Sequence, residues 1–233
     1  IVTTMKVLDI WTRRHALPEY KAGKTPPDWY LALLLLIELR YESFTPNGVR
    51  ISKASEKLNE PWELGLHLGA FIALSSLSLN HPIIQAFEIL LSIYILFTSV
   101  HLAVRYKDSP ALFGPLYLAD SLTGFWAETW HNIFTAPCMS LAYYPIRKGV
   151  RKLGFPDQLS RAMGVLGVFS LMAVFHMYTL SPFLNPTALN RVGLYFFLNG
   201  VATVIENAIW KKRKHWVKLV LAWVFEISIA SWI

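Results

Sequence analysis

The stretch AMGVLGVFSLMAVFHMYTLSPF (162–183) is the apolar run that indicates the fold class of this chain. It is long enough to cross a bilayer as a helix, for which about 20 apolar residues are needed. One ionisable side chain, His176, lies well inside it. Because an ionisable group at such depth is costly, it marks a candidate functional site. The alternative is a structural histidine that is neutral and hydrogen-bonded to a neighbouring helix.

Composition extends this conclusion to the whole chain. Of its 233 residues, 54% are hydrophobic and only 16% are charged, which indicates an integral membrane protein. The single cysteine, Cys138, excludes an intrachain disulfide and a thiolate cluster for a metal. The first 21 residues lack the uninterrupted apolar core of a cleavable signal.

Apolar runs predict an all-α, polytopic integral membrane helical bundle. The five predicted spans are 62–80, 83–104, 162–183, 190–210 and 217–233. A further run, from Trp29 to Leu39, is too short to cross and ends at Arg40, so we expect it at the membrane interface. We predict that 1–60 forms a cytoplasmic or interfacial N-terminal segment, preceded by helices that this chain lacks, and that 61–233 forms the transmembrane domain.

The distribution of cationic side chains predicts the orientation. Lys and Arg concentrate at 1–24, at Lys53 and Lys57, at Arg105 and Lys107, at 147–161 and at 211–218. The connections near 80–83 and 184–189 carry none. By the positive-inside rule, the basic segments face the cytoplasm. The net charge of +7 is therefore explained mostly by the cytoplasmic segments that set the membrane orientation, and no nucleic-acid partner is predicted.

With this topology, residues 105–161 have both ends in the cytoplasm although they are rich in aromatic side chains. Irregular backbone at membrane depth is tolerated only where it is buried in protein or lines a cavity. We therefore predict a re-entrant or interfacial helical segment at about 105–146. Such a segment suits a site whose polar substrate arrives from the cytosol.

The string PALFGPLYLADSLTGFWAETWHNIF (110–134) lies within this segment. If 122–134 is helical, Trp126 and Trp130 stack one turn apart, and Glu128 pairs with His131 at a spacing of three. The alternative is an interfacial aromatic belt with an incidental Glu–His pair.

The order Leu112-Phe113-Gly114, Ser121-Leu122, Phe125-Trp126 and Trp130-His131 resembles the wax-synthase branch of the membrane-bound O-acyltransferases. That group pairs a Phe-Trp…Trp-(His/Asn) motif with a separate histidine in a downstream membrane helix. His176 falls where that histidine would be. The likeness covers about 60–233 and is closest to fungal wax-synthase-like proteins, many of which acylate small secondary metabolites.

This resemblance implies a bundle like that of the family and an acyl-CoA-dependent O-acyltransferase. The acceptor would be the hydroxyl of a lipophilic alcohol, and the product a wax ester, a sterol ester or an acetylated metabolite. The resemblance implies His176 as general base, since an imidazole with a pKa near neutrality suits that role, and His131 as an auxiliary catalytic residue. Acyl-CoA is then a co-substrate, no cofactor is bound permanently, no metal is needed, and the protein resides in the endoplasmic reticulum membrane.

Further candidate residues surround these two histidines. We expect substrate contacts from Phe125, Trp126, Glu128, Trp130 and Asn132. The basic stretch that begins with Arg147 and Lys148 could attract the phosphates of CoA. Its alternative role is retention near lipid head groups.

Other functions remain open at this point. A membrane terpene cyclase would depend on Glu88, Glu206 or Glu226 in place of His176, although Glu206 with Asn207 fits better as a polar lock between helices. A di-iron enzyme is disfavoured because the seven histidines are isolated, and a transporter because no internal repeat is found. A non-catalytic membrane fragment is the last alternative.

Overall fold

A computed structural model describes residues 2–15, 17–21, 23–38, 40–45, 59–77, 80–104, 110–211, 213 and 215–233. The predicted cytoplasmic cations Lys53, Lys57, Arg105 and Lys107 lie outside the described residues. In the described chain the regular structure is helical, apart from one antiparallel pair of two-residue strands, β1 (Glu19–Tyr20) and β2 (Phe44–Thr45). The all-α prediction is confirmed.

The chain divides into two compact units. Unit 1 comprises 1–49 and 132–204, and unit 2 comprises 50–131 and 205–233. The described part of the predicted N-terminal segment up to Thr45 thus belongs to the same unit as the span that carries His176. The functional division into 1–60 and 61–233 stays a prediction.

Unit 1 contains the β-strand pair and most of the long apolar helices. Its helices are α1 (Val2–Thr12), α2 (Asp28–Ile37), α6 (Thr135–Cys138), a π-helical turn (Met139–Tyr143), α7 (Tyr144–Lys152), α8 (Asp157–Leu180) and α9 (Pro186–Trp210, up to Val204). The helix α6, the π turn and α7 follow one another without a break.

Unit 2 is built around two packed helices that are joined by a short connection. Its helices are α3 (Glu60–Ser76), α4 (Pro82–Val104), a 3-10 turn (Leu116–Leu118), α5 (Leu122–Gly124), a second π-helical turn (Phe125–Thr129) and α10 (Trp216–Ala230). Helix α10 packs against α4 and α5.

Three of the described helices are long and apolar enough to cross a membrane. They are Pro82–Ala103, Asp157–Leu180 and Pro186–Trp210, with 22, 24 and 25 residues. At ~1.5 Å per residue each is longer than the ~30 Å hydrocarbon core of a bilayer. The predicted spans at 83–104, 162–183 and 190–210 are confirmed as helices of sufficient length.

The other two predicted spans form shorter helices. Helix α3 has 17 residues and α10 has 15, so both are below the length of about 20 residues that a full crossing needs. Helix α2 has 10 residues and exposes Trp29 and Ile37 while it buries Leu34. The run from 29 to 39 is therefore too short to cross, as predicted.

The helix starts follow from local sequence. Asn59 caps α3 by accepting a hydrogen bond from the backbone N–H of Trp62 at 3.3 Å. Proline occupies the first position of α4 and α9, where its missing N–H and fixed φ cost nothing. Asn185 adds a cap to α9 by accepting from the N–H of Ala188 at 2.9 Å.

Helices α8 and α9 approach each other closely in unit 1. A Cβ added at Gly200 would lie 2.7 Å from the Cβ of Phe169, so only glycine fits at this crossing. Small residues allow this close packing of helices in a membrane, where the hydrophobic effect does not drive their association. The crossing fixes the part of α9 that faces His176.

The outer faces of the long helices carry large apolar side chains. Leu96 on α4, Val174 and Tyr178 on α8 and Ile205 on α9 are each more than half exposed in the absence of a membrane. Such an apolar surface fits contact with lipid chains.

Candidate active site

His176 lies on α8, and the orientation of its ring is set by its own helix. Its Nδ1 lies 2.8 Å from the carbonyl oxygen of Met172, one turn earlier. Because a carbonyl only accepts hydrogen bonds, the neutral imidazole in this position has its proton on Nδ1 and its lone pair on Nε2. No other described residue forms a hydrogen bond with this imidazole. Nε2 is therefore the atom that could take a proton from a substrate.

Two aromatic side chains hold the plane of this ring. The imidazole stacks on Phe196 of α9, with centroids 4.1 Å apart and an angle of 25° between the planes. Phe175 meets its edge at 5.3 Å. The surroundings of His176 are thus apolar and rigid, which suits a base that must present one nitrogen in a fixed direction.

The carbonyl that orients His176 belongs to a residue that α6 contacts. The thiol of Cys138 donates to the thioether sulfur of Met172 at 3.5 Å. The ring of Phe134, just before α6, meets the ring of Phe175 at 4.9 Å. Helix α6 therefore packs directly against the turn of α8 that precedes His176.

The Phe-Trp…Trp-His segment lies in unit 2 and differs from the continuous helix predicted over 122–134. The α-helical turn α5 passes into the π-helical turn Phe125–Thr129, and Trp130 is already extended, with φ −72° and ψ 156°. The N–H of Trp130 donates to the carbonyl of Phe125, five residues earlier, at 2.7 Å. The predicted helical pair of Glu128 and His131 is wrong, because the helix ends before His131.

The π turn changes which aromatic rings stack. Trp130 stacks on Phe125, with centroids 5.3 Å apart and planes 22° apart. Trp126 meets Trp130 edge-on at 6.1 Å, so the predicted stack of the two tryptophans is also wrong. A residue inserted into the helix brings positions five apart into line, and such π-bulges are frequent at functional sites.

His131 packs into a group of aromatic rings within unit 2. Its ring lies 5.3 Å from Trp130, 5.4 Å from Phe97 and 5.6 Å from Phe113. Glu128 is exposed on the π turn. The structure thus keeps His131 with Phe125 and Trp130 and sets Glu128 apart from them.

Glu206 anchors this segment by capping α5. Its two carboxylate oxygens accept from the N–H groups of Leu122 at 2.7 Å and Thr123 at 3.1 Å, and from the Thr123 hydroxyl at 2.9 Å. Asn207 donates to the same hydroxyl at 2.9 Å, and the Lys218 ammonium lies 3.7 Å from Glu206. A negative charge at a helix N-terminus is favourable. The expected polar lock formed by Glu206 and Asn207 is present.

His67 shares the geometry of His176. Its Nδ1 lies 2.7 Å from the carbonyl of Glu63, one turn earlier on α3, and its ring stacks on Tyr94 at 3.8 Å. The signal for this arrangement is a histidine on a helix with an aromatic residue on the facing helix. His101, by contrast, lies 3.1 Å from the carboxylate of Glu60, which also accepts from a backbone N–H.

The remaining predicted binding residues lie in unit 1. Asn132 accepts from the guanidinium of Arg40 at 3.1 Å. Arg147 donates to Asp157 at 2.9 Å, which joins the middle of α7 to the start of α8. Lys148 is exposed beside it. Lys148 is therefore the more accessible cation for an anionic substrate.

The two candidate catalytic histidines belong to different units, with His131 in unit 2 and His176 in unit 1. Their implied roles as general base and auxiliary catalytic residue stay predictions. Across the residues that the structure describes, no three His, Cys, Asp or Glu side chains are grouped as ligands for a metal ion.

Comparison with known proteins places both histidines within one family match. Residues 109–199 match the membrane bound O-acyl transferase family. This match includes the π turn, His131 and His176, and it agrees with the resemblance seen in the sequence. With its long apolar helices, the chain is a multi-pass membrane protein.

Curated relatives point to the same group of proteins. The chain is 30% identical over 118 residues to the probable long-chain-alcohol O-fatty-acyltransferase 7 of Arabidopsis thaliana, a match that covers 49% of this chain and 34% of that protein. It is 30% identical over 105 residues to the acetyltransferase spyB of Aspergillus fumigatus, covering 44% of this chain and 17% of that protein. The chain thus spans about a third or less of the relatives it matches. No solved structure matches it significantly.

Proposed function

We propose that this chain belongs to a membrane O-acyltransferase that moves an acyl group from acyl-CoA to the hydroxyl of a lipophilic alcohol. His176 is the general base. The family match over 109–199 supports the reaction class. The observation that carries the role of His176 is the hydrogen bond between its Nδ1 and the Met172 carbonyl.

The reaction needs one proton acceptor and a fixed geometry. Nε2 of His176 takes the proton from the alcohol as its oxygen attacks the thioester carbonyl carbon. The C–S bond breaks, and the leaving CoA sulfur takes that proton from the imidazolium. The base is regenerated, the ester is released, and no further reactant is required.

The Trp-His segment is proposed to serve the acyl donor. His131 donates a hydrogen bond to the oxygen on which negative charge develops, and the stacked pair of Phe125 and Trp130 packs against the substrate. Trp126 and Glu128 sit on the same π turn, and we assign them to the rim of the substrate site. Asn132 follows His131 directly in the chain and belongs to unit 1.

The CoA moiety carries phosphates, and the cations of α7 suit them. Lys148 is exposed, and Arg147 is held by Asp157 at 2.9 Å so that its guanidinium has a defined place. We assign these two residues to the attraction of the CoA phosphates at the cytoplasmic surface.

The names of the relatives support a proposal for the class of acceptor. Long-chain alcohols stand in the names of the plant relatives, and the fungal relative is named as an acetyltransferase. We propose that the acceptor is a lipophilic alcohol, as in wax-ester formation or metabolite acetylation, and that the enzyme works in the endoplasmic reticulum membrane.

The test uses membranes that contain the full-length protein. They are incubated with labelled acetyl-CoA or palmitoyl-CoA and a panel of lipophilic alcohols, and the labelled esters are identified. We expect ester formation by the native protein and none by His176→Ala at equal protein content.

The matched control is His81→Ala, because His81 is exposed at the start of α4 and outside the proposed site. Its turnover should equal that of the native protein. Near-normal turnover by His176→Ala would refute the assignment of the base. Failure of the native protein to form any ester would refute the reaction.

A further inference from the structure

We propose that Asp9 on α1 and Arg13, directly after the end of α1, are positioning residues for the His176 imidazole, acting through α6. The inference rests on the proposed role of His176 as the base. It gives the N-terminal helix a part in the reaction, although the sequence placed that helix in a separate segment.

The first link joins α1 to α6. Arg13 pairs with Asp9, and the Arg13 Nε lies 2.8 Å from the Asp9 carboxylate. Nη2 of the same guanidinium donates to the carbonyl of Ala136 at 3.3 Å. The Ser140 hydroxyl donates to the same carboxylate oxygen of Asp9. The Asp9 side chain is fully buried. One ion pair thus holds both ends of the stretch from 136 to 140.

The second link joins that stretch to α8. Cys138 lies between the two anchored residues and is buried, and its thiol donates to the Met172 sulfur at 3.5 Å. Phe134 packs against Phe175 at 4.9 Å. The α6 region therefore connects α1 to two residues of α8. These are Met172 and Phe175, which lie at the start and the end of the helical turn before His176.

The last link reaches the imidazole itself. Met172, whose sulfur meets Cys138, is also the residue whose carbonyl accepts from Nδ1 of His176. Phe175 meets the edge of the same ring. Since a misplacement of ~1 Å can cost ~10²-fold in rate, a shift of α6 should reduce turnover without weakening substrate binding.

The contacts also explain why the buried carboxylate of Asp9 is paired with the partly buried guanidinium of Arg13 at the end of α1. Burying a carboxylate is costly, and an apolar pair of similar volume would often be at least as stable. The guanidinium and the carboxylate, however, reach a backbone carbonyl and a hydroxyl of the neighbouring segment at defined angles. They specify one arrangement of α6, which apolar contacts would not do.

The test measures kcat and KM for acyl-CoA in membranes of the full-length protein, per amount of protein. We expect Arg13→Gln and Cys138→Ala each to lower kcat by roughly tenfold while KM stays within about twofold. Arg13→Lys, which keeps the charge and a donor, should recover most of kcat. The thermal midpoint of each purified variant is measured alongside.

Arg14→Gln is the matched control, because Arg14 follows Arg13, is exposed, and its guanidinium contacts only Trp11 of α1 among the described residues. Its kcat should be unchanged. Normal kcat in both Arg13→Gln and Cys138→Ala, with His176→Ala inactive in the same membranes, would overturn the inference and leave the base in place. A lower thermal midpoint with normal kcat would likewise show that the contacts only stabilise the fold. Activity in His176→Ala would refute the proposed function itself.

Discussion

The imidazole of His176 stacks on the ring of Phe196, with centroids 4.1 Å apart and planes 25° apart. The hydrogen bond from Nδ1 to the Met172 carbonyl fixes the rotation of the imidazole, and the stacked ring fixes its plane. The two restraints come from different helices, α8 and α9. Together these two restraints fix the direction in which the Nε2 lone pair points.

The stack supplies a first prediction. Phe196→Leu removes an aromatic contact of about 0.5–1.5 kcal/mol and keeps most of the apolar volume, so we expect kcat to fall by about two- to tenfold. Phe197→Leu is the control, because Phe197 is the next residue and is 43% exposed. Equal kcat values for the two variants would show that the stack does not position the base.

The cap on α5 supplies a second prediction. Glu206→Ala leaves the N–H groups of Leu122 and Thr123 without their acceptors, so we expect a loss of about 2–4 kcal/mol of unfolding free energy. Glu206→Gln keeps one acceptor oxygen and should cost less. Thermal midpoints of purified protein test this order, with Glu19→Gln as the exposed control. A midpoint for Glu206→Ala at the native value would contradict it.

The crossing of α8 and α9 supplies a third prediction. Gly200→Ala puts a methyl group against the Cβ of Phe169, which cannot turn away, so about 1–3 kcal/mol of stability should be lost. Gly193→Ala meets the flexible thioether of Met177 and should cost less. Gly65→Ala on α3 meets nothing within 4 Å and should be neutral or stabilising. The reverse order of thermal midpoints would be incompatible with this packing.

Lys6 supplies a prediction on pH. It is 2% exposed and donates to the carbonyl of Leu35 at 3.2 Å. Burial lowers the pKa of Lys6 to about 8, against the opposing effect of Glu38, Glu42 and Asp9. The unfolded chain binds this proton up to about pH 10.5, so the unfolding free energy should rise with pH between about 8 and 10.5.

The measurement compares thermal midpoints at about pH 7.5 and pH 9.5 for the native protein and Lys6→Met. We expect the variant to lose the rise with pH and to be the more stable form at the lower pH, because it buries no charge. Lys21→Met, at an exposed site, should keep the native pH dependence. An identical pH dependence in Lys6→Met and the native protein would disprove the assignment.

The cations of α7 supply a fifth prediction. Lys148→Glu reverses an exposed charge at the proposed entry for CoA, so KM for acyl-CoA should rise several-fold at low ionic strength while kcat stays unchanged. The effect should shrink as salt is added. Lys24→Glu, an exposed cation before α2, is the control, and an equal rise in its KM would show that the effect is not local.

The long helices could be predicted because run length and bilayer thickness decide them. Helices α4, α8 and α9 follow directly from their apolar stretches, and His176 lies inside α8 as expected. The residues at which helices end are harder to predict from the sequence. Helices α3 and α10 end at Ser76 and Ala230, a few residues before the predicted spans end.

The details of the site depend on distant contacts, and the sequence shows these poorly. Glu206 caps the start of the helix at 122, and Gly114 donates to the Thr129 carbonyl at its end at 2.9 Å. The contact of Asp9 with Ser140 spans 131 residues of chain. Neither pairing leaves a periodic pattern that could be recognised beforehand.

The π turn at Phe125–Thr129 makes the length of this segment part of the site. Each residue of an α-helix adds a rotation of about 100°, so removing one residue here would restore ordinary winding and point Trp130 and His131 elsewhere. The residue types of the Phe-Trp…Trp-His motif alone therefore do not identify an equivalent site in a relative. An alignment gap of one residue between the two tryptophans would mark a protein whose aromatic rings pair differently.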